Sequence, residues 1–127
     1  MLAGFEAKLS ELRHGFLCTC GKWHQLPIAD IAIGKGIIEG IPARLEKLGI
    51  SGSVHLVGDT HTMSAVGAKL EDALDCQSVI ASRTVYATSD RDLVPDDSAL
   101  ARLVLETPTS VDALVAIGSG TITDLVR

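Results

Sequence analysis

The sequence GSGTITD at residues 118–124 directly follows an apolar run at residues 111–117. A buried strand that ends in a small-residue loop and turns into a helix is an arrangement that binds phosphate. Glycine lets the backbone approach an anion closely, and the free N–H groups and the dipole at the helix N-terminus attract it. The pattern therefore predicts a phosphate-binding loop at residues 118–124.

A carboxylate follows another apolar stretch, because residues 54–57 lead into Gly58 and Asp59. At the C-terminal end of a parallel strand, an acidic residue is where dinucleotide-binding folds hold ribose hydroxyls. Such a carboxylate would also repel a 2′-phosphate. A second interpretation is that Asp59 caps a helix that begins near Thr60, and one residue can do both. In the ordinary Rossmann fingerprint the glycine loop comes first and the acid follows roughly 20 residues later. Here the acid comes first.

Cys18, Cys20 and His24 form a third group with chemical potential. Thiolate and imidazole are zinc ligands, and Cys76 or another histidine would complete a tetrahedron. Zinc sites, however, usually use turns with two to four residues between the cysteines, whereas a C-x-C pair lies along one predicted strand. The alternative is a small-residue hairpin with apolar thiols packed on the sheet, and we favour this interpretation. We expect no metal site in these residues.

The elements that position these residues follow from the spacing of the apolar side chains. Strands alternate with helices of about 10–15 residues, which predicts right-handed crossovers and a parallel sheet. Pro42 is expected in the first turn of its helix and Gly49 at the C-terminal cap, and His55 is expected to be a hydrogen-bonded core residue. The predicted strands are residues 54–58, 77–85 and 111–117, and the predicted helices are residues 3–14, 37–48, 60–74 and from Asp97 or Ser98 to 105.

A β-hairpin is predicted near the N-terminus, with strands at residues 16–20 and 28–33 and a turn at residues 21–24. The predicted fold class is α/β, a Rossmann-like, mostly parallel sheet flanked by helices with this N-terminal β-hairpin.

Composition excludes several classes of protein. Hydrophobic residues make up 46% of the 127 residues, which excludes disorder, and an aromatic fraction of 3% indicates an aliphatic core typical of buried parallel strands. The net charge of −5 argues against a nucleic-acid or membrane-surface binder. There is no apolar run of roughly 18 residues and no signal peptide, so membrane insertion is not expected. Three cysteines are too few for a disulfide framework, so a cytoplasmic location is expected.

Four stretches together resemble the N-terminal domain of the iron-containing alcohol dehydrogenase and dehydroquinate synthase superfamily. Within it, the sequence is most similar to the bacterial sn-glycerol-1-phosphate dehydrogenase branch, of which the CxCGxxH opening is characteristic. The stretches are CTCGKWH at residues 18–24, IGKG at 33–36, GDTHT at 58–62 and GSGTITD at 118–124.

The resemblance implies an NAD or NADP cofactor and the reduction of dihydroxyacetone phosphate, a phosphorylated small molecule, to sn-glycerol 1-phosphate. It implies that Asp59 binds the adenosine ribose and that Thr121 and Asp124 lie further toward the nicotinamide. The residues implied to hold the pyrophosphate are Gly118, Ser119 and Gly120.

The resemblance further implies a divalent metal ion (Zn, Ni or Fe) that polarises the substrate carbonyl. Its Asp and His ligands would come from an all-helical C-terminal domain. We therefore expect residues 1–127 to be one N-terminal NAD(P)-binding domain that ends within the helix after the GSGTITD loop. Without the helical metal domain this chain should contain no catalytic residue and be inactive alone, and the whole protein should be a homo-oligomer.

Two other functions stay open at this point. One is a lyase related to dehydroquinate synthase, which uses the same fold and retains NAD through its cycle. The other is a stand-alone nucleotide-binding module without catalysis.

Overall fold

The computed structural model of the chain describes residues 2–75, 80–88, 93–118 and 120–127. They fall into two compact units, Met1–Gly34 and Lys35–Arg127. Within the described residues, no helix is both long enough and apolar enough to cross a lipid bilayer.

The first unit contains helix α1 (Leu2–His14) and an antiparallel hairpin of strands β1 (Phe16–Leu17) and β2 (Trp23–His24). The turn between the strands is closed by two backbone hydrogen bonds. The N–H of Gly21 donates to the carbonyl of Cys18, and the N–H of Cys18 donates to that of Lys22, both at 2.9 Å. Gly21 has a φ of 79°, the left-handed conformation that closes this kind of three-residue hairpin loop.

The hairpin is confirmed, but its predicted strands were wrong. The first strand ends at Leu17 rather than residue 20, and residues 25–33 form no strand. Turn geometry sets the register of a hairpin, and this turn places Trp23 opposite Leu17, so the second strand begins directly after the turn. Pro27 has no N–H to contribute to a ladder beyond that point. In consequence, residues 18–22 lie in a turn and not along a strand.

The second unit is built on a three-stranded parallel sheet with the order β4-β3-β5. Its strands are β3 (Val54–Asp59), β4 (Ile80–Tyr86) and β5 (Ala113–Ile117), so the central strand comes first along the chain. The predicted α/β fold with a parallel sheet is confirmed. The predicted start of the second strand, at residues 77–79, lies outside the described residues.

Helices connect and flank these strands. A 3₁₀ turn (Ile37–Gly40) leads into α2 (Ile41–Lys47), and β3 is followed by α3 (Thr60–Thr62), a π-helical turn (Met63–Gly67) and α4 (Ala68–Asp75). The π-helical turn interrupts the single helix predicted for residues 60–74. The remaining helices are α5 (Asp97–Glu106) and α6 (Gly120–Val126).

The core lies on both faces of the sheet. On one face, Leu70 and Leu74 of α4 pack with Leu56 of β3, together with side chains of α2. On the other face, Leu103 of α5 and Ile122 of α6 pack with the remaining core residues. The helices that follow β3 and β5 therefore leave the sheet on opposite sides.

Pro42 and Gly49 lie where the sequence predicts them, although α2 begins at Ile41 and a 3₁₀ turn occupies residues 37–40 of the predicted helix. Pro42 lies in the first turn, where its missing N–H would have had no helical partner. At the other end, Gly49 has a φ of 79° and its N–H donates to the carbonyl of Glu46, while the N–H of Ile50 donates to that of Leu45, both at 2.9 Å. These two bonds form a Schellman motif, which satisfies carbonyl groups that the helix end leaves unpaired.

The N-terminal cap of α5 differs from the prediction by one residue. The cap is Asp96 rather than Asp97 or Ser98, and its Oδ1 accepts a hydrogen bond from the N–H of Ala99 at 2.9 Å. Asp96 has the extended backbone, with φ −93° and ψ 177°, that a capping side chain needs to reach back to the helix.

We expect Gly49→Ala to destabilise the chain by about 1 kcal/mol, because an L residue is strained in the left-handed region. Gly40→Ala is the matched control, since Gly40 has a φ of −88° and open space around an added Cβ. Its free energy of unfolding should change by less than about 0.5 kcal/mol. Urea unfolding of both variants checks this, and equal effects would contradict the role of Gly49 in the cap.

Candidate nucleotide-binding site

The carboxyl ends of β3 and β5 lie side by side, with Gly58 paired to Ile117. The chain leaves β3 toward α4 on one face of the sheet and leaves β5 toward α6 on the other. Neighbouring parallel strands whose connections diverge in this way create a crevice at the edge of the sheet, and open α/β folds bind their ligands there. Asp59 and Gly118 are the residues at the two sides of this crevice.

Asp59 is half-buried and caps α3. Its Oδ1 accepts hydrogen bonds from the N–H groups of His61, at 2.9 Å, and Thr62, at 2.8 Å. In return, the N–H of Asp59 donates to the hydroxyl oxygen of Thr62 at 3.0 Å, which completes a capping box. Both hydrogen bonds of the cap go to Oδ1, and among the described residues Oδ2 of Asp59 accepts none.

A threonine pair joins this turn to the end of β4. The hydroxyl groups of Thr60 and Thr88 lie 2.6 Å apart, and the N–H of Thr88 donates to the Thr60 oxygen at 3.2 Å. The loops after β3 and β4 therefore support each other next to Asp59.

Gly118 is the point where the loop after β5 passes closest to the rest of the site. A Cβ at Gly118 would lie 2.9 Å from Cγ1 of Ile122, which is fully buried, and 3.3 Å from Cγ2 of Thr62. Only glycine lets the chain turn there without displacing these neighbours. Gly120, the first residue of α6, is exposed and has no atom within 4 Å of an added Cβ. The predicted site residue Ser119 lies outside the described residues.

Thr121 and Asp124 lie on α6, one helical turn apart. Thr121 is half-buried near the start of the helix, whereas Asp124 is exposed. Both therefore belong to the element that starts at the crevice, and the N–H groups of its first turn have no helical acceptor of their own.

Sequence reasoning missed the supporting roles of Thr62 and Thr88. The signal for Thr62 was present, because an acidic residue followed three positions later by a hydrogen-bonding side chain is the spacing of a capping box. The role of Thr88 depends on the pairing of β3 with β4 and has no local signal.

A buried polar network crosses the sheet below this site, and it confirms His55 as a hydrogen-bonded core histidine. The hydroxyl of Thr84 donates to Oε2 of Glu106 at 2.7 Å, so its oxygen accepts from Nε2 of His55 at 2.9 Å. In the neutral ring Nε2 then carries the proton, so Nδ1 accepts from the hydroxyl of Ser82 at 2.6 Å.

Burial, rather than the charge in this network, favours the neutral form of His55. Burial lowers the pKa of His55, and the negative charge of Glu106 opposes that shift only in part. The pKa of Glu106 is lowered by hydrogen bonds from Arg102 and Thr84, so this carboxylate stays ionised.

The structure brings Cys18, Cys20 and His24 together at the hairpin turn. Their ligand atoms all lie within 4.8 Å of one another, and Sγ of Cys20 lies 3.1 Å from Nε2 of His24. Cys20 is exposed and Cys18 half-buried, so the expectation of thiols packed on the sheet was wrong. Hydrogen bonds from the backbone and side chain of Cys20 lower the pKa of Cys18. Cys76, a predicted fourth ligand, lies outside the described residues.

A separate surface cleft of about 750 Å³ lies between the start of α2 and α4. Its lining includes Gly36, Glu39, Pro42 and Lys69, and none of the predicted site residues. This cleft is therefore not the crevice between the ends of β3 and β5.

Comparison with known proteins gives a family and several relatives. The sequence model of the family described as iron-containing alcohol dehydrogenase matches residues 32–127. A curated protein of Geobacillus stearothermophilus, named glycerol-1-phosphate dehydrogenase (NAD(P)+), is 33% identical over 112 residues, which are 87% of this chain and 28% of the relative.

Two further relatives carry the same name. The protein of Geobacillus thermodenitrificans is 36% identical over 75 residues, covering 58% of this chain and 19% of the relative. That of Halalkalibacterium halodurans is 27% identical over 112 residues, covering 87% and 28%. The chain thus spans 28% or less of the length of these relatives. No solved structure matches it.

The lowered pKa of His55 makes stability depend on pH. Below the unfolded-state pKa of about 6.5, the unfolded chain binds a proton that the folded chain does not, so the free energy of unfolding should fall as pH drops below that value. The loss should level off below the folded-state pKa. Urea unfolding at several pH values should show this slope in the wild type and a reduced slope in His55→Asn.

NMR titration of the His55 ring gives an independent check that does not depend on a folded variant. A midpoint at or above about 6.5 would contradict the neutral, desolvated state of His55.

Proposed function

The chain belongs to the iron-containing alcohol dehydrogenase family, and on that premise we propose that residues 1–127 are the NAD(P)-binding N-terminal domain of a dehydrogenase that reduces dihydroxyacetone phosphate to sn-glycerol 1-phosphate. The observation that carries the proposal is the placement of Asp59 and Gly118 at the two sides of one crevice. Composition gave no reason for two such distant residues to meet there. The shared name of the relatives supports the choice of reaction.

Asp59 binds the adenosine ribose through its second carboxylate oxygen. Oδ1 accepts the two N–H groups of the cap, and Oδ2 is left to accept ribose hydroxyls. The capping box with Thr62 fixes the side chain before the ligand arrives. A fixed acceptor loses little conformational freedom on binding, and a charged one forms stronger hydrogen bonds than a neutral one.

Gly118, Ser119 and Gly120 hold the pyrophosphate. Ile122 and Thr62 leave no room for a side chain at Gly118, so the loop can pass close over the end of β5, and the absence of a side chain at Gly120 leaves the start of α6 open. Backbone N–H groups at a helix start are donors that a phosphate oxygen can use, and the helix dipole adds to the attraction. The donors and the acceptor of the site thus match the charge of a dinucleotide.

Thr121 and Asp124 lie further along α6, toward the nicotinamide. When bound, the nicotinamide supplies the hydride. This chain contributes the binding and orientation of the cofactor, while the metal ion and its ligands belong to a helical C-terminal domain of the whole protein, which we expect to be a homo-oligomer. On this proposal, residues 1–127 have no dehydrogenase activity of their own.

Calorimetric titration of the chain with NAD⁺, NADH and ADP-ribose tests the proposed site. We expect Asp59→Asn to weaken binding of all three by at least about tenfold, because it removes charged hydrogen bonds to ribose while asparagine still caps the helix. Gly120→Val should abolish binding, because its side chain fills the open space at the start of α6.

Asp96→Asn is the matched control, since Asp96 caps α5 in the same extended conformation at a different place in the fold. It should leave the affinity for all three ligands unchanged. If the wild type shows no binding at millimolar ligand, or if Asp59→Asn binds as tightly as Asp96→Asn, the assigned site is wrong.

The charge of Asp59 also predicts a cofactor preference. NAD⁺ has a 2′-hydroxyl that can donate a hydrogen bond to Asp59, whereas NADP⁺ carries a 2′-phosphate there, whose negative charge the carboxylate repels. The wild-type chain should therefore bind NAD⁺ about tenfold more tightly than NADP⁺. Asp59→Asn should reduce this ratio toward one. Competition of NADP⁺ against bound NADH, followed by fluorescence, measures it. If the substitution leaves the ratio of the two affinities unchanged, the 2′ position of the ribose does not lie next to Asp59.

A further inference from the structure

Three metal-binding side chains converge on the hairpin turn of the first unit. The ligand atoms of Cys18, Cys20 and His24 all lie within 4.8 Å of one another. We propose that these residues bind one Zn²⁺ ion, with water in the fourth coordination position, and that the ion stabilises the hairpin.

The turn itself produces this convergence. The reciprocal backbone bonds between Cys18 and its partners Gly21 and Lys22 close the loop, and the left-handed Gly21 returns the chain so that His24 follows on β2. Cys20 lies at the tip, 3.1 Å from the imidazole nitrogen of His24. Two sulfurs that would be spread along an extended strand are therefore brought beside one imidazole.

The geometry fits zinc without a large rearrangement. With Zn–S distances of about 2.3 Å and Zn–N distances of about 2.0 Å, the donors of a tetrahedral site lie about 3.5–3.8 Å apart. The three donors here lie within 4.8 Å, so shifts of about 1 Å suffice. Thiolate and imidazole ligands favour zinc over magnesium, calcium or manganese, which prefer oxygen.

The first unit needs such a stabilising contact. None of its residues with a described side chain is buried, and Leu17 and Trp23, which pair across the hairpin, are 71% and 63% exposed. A two-stranded hairpin is marginally stable in water, and units of fewer than about 40 residues usually rely on metals or disulfides. Zn²⁺ bound across the turn would link β2 to the end of β1 where hydrophobic packing does not.

Cysteines at this spacing also raise the possibility of an oxidised Cys18–Cys20 pair. The position of His24 argues for a metal ion instead. Its Nε2 lies 3.1 Å from Sγ of Cys20, where both atoms can coordinate one ion, whereas an imidazole takes no part in a disulfide bond. The two alternatives also respond differently to a reductant, which zinc binding tolerates and a disulfide does not.

Zinc titration of the metal-free chain under a non-chelating reductant tests the proposal, with a chromophoric zinc chelator as competitor. We expect one Zn²⁺ per chain and release of protons on binding. Cys18→Ser, Cys20→Ser and His24→Ala should each weaken binding by at least about tenfold. His61→Ala is the matched control, because it removes one exposed imidazole from elsewhere in the sequence. Cys76→Ser tests the fourth coordination position, since water occupies it only if this variant binds Zn²⁺ as the wild type does.

Substitution with Co²⁺ keeps the proposal testable if a variant fails to fold. The wild-type chain should show sulfur-to-cobalt charge-transfer absorption and intense tetrahedral d–d bands, both displaced by Zn²⁺. The His24 ring nitrogen should also shift on zinc binding in NMR spectra.

Several outcomes would overturn the proposal. They are the absence of stoichiometric zinc binding, a cobalt spectrum without thiolate bands, and binding that Cys76→Ser or His61→Ala weakens as much as the turn variants do. Nucleotide affinity is a separate readout, since none of the three turn residues belongs to the proposed cofactor site.

Discussion

Burial of β3 on all sides constrains the rest of the second unit. Strands pair with both of its edges, helices pack on both of its faces, and residues 54–58 are all buried. A strand enclosed in this way can present side chains to a ligand only where it ends. Asp59, half-buried at that end, is therefore the first residue of β3 that can act as both structural cap and binding group. A polar side chain on the buried part of β3 needs hydrogen-bond partners for its polar atoms, and His55 has them in Ser82 and Thr84.

The two units differ in the interactions that stabilise them. The second buries aliphatic side chains on two faces of a sheet, which is the usual source of folding free energy. The first has a two-residue pairing between its strands and exposed side chains on both. The specific contacts of that hairpin include the backbone bonds of the turn, the polar cluster beside it and a ring contact between Phe16 and His24 at 5.9 Å. The proposed Zn²⁺ ion would add a link at the turn to these contacts.

Local signals decided which features could be predicted from the sequence. The strands of the sheet, Pro42 and Gly49 were predictable because apolar runs, a missing N–H and a left-handed glycine act over a few residues. The hairpin strands were not, because turn closure at Gly21 overrode an apolar stretch further on. The π-helical turn that begins at Met63 has no local pattern in the sequence, and Met63 there lies so near Gly58 and Gly67 that an added Cβ on either would come within about 3 Å of it. The candidate nucleotide-binding residues were predicted from the glycine-containing loop, from the acid after an apolar stretch and from the resemblance, whereas the strand order that brings Asp59 and Gly118 together came only from the fold.

The capping and ligand-binding interpretations of Asp59 do not compete, because they use different oxygens. A capping aspartate needs one acceptor atom, and Oδ1 takes both N–H groups of the turn. The extended backbone at Asp59, with φ −114° and ψ 172°, sets the direction of the carboxylate, so its second oxygen is held at the edge of the sheet. A side chain fixed only by a ligand would lose rotamer freedom on binding, whereas this one loses it on folding. If Asp59 accepts ribose hydroxyls as proposed, the cap is what preorganises it, and a residue unable to cap would bind the same hydroxyls less well.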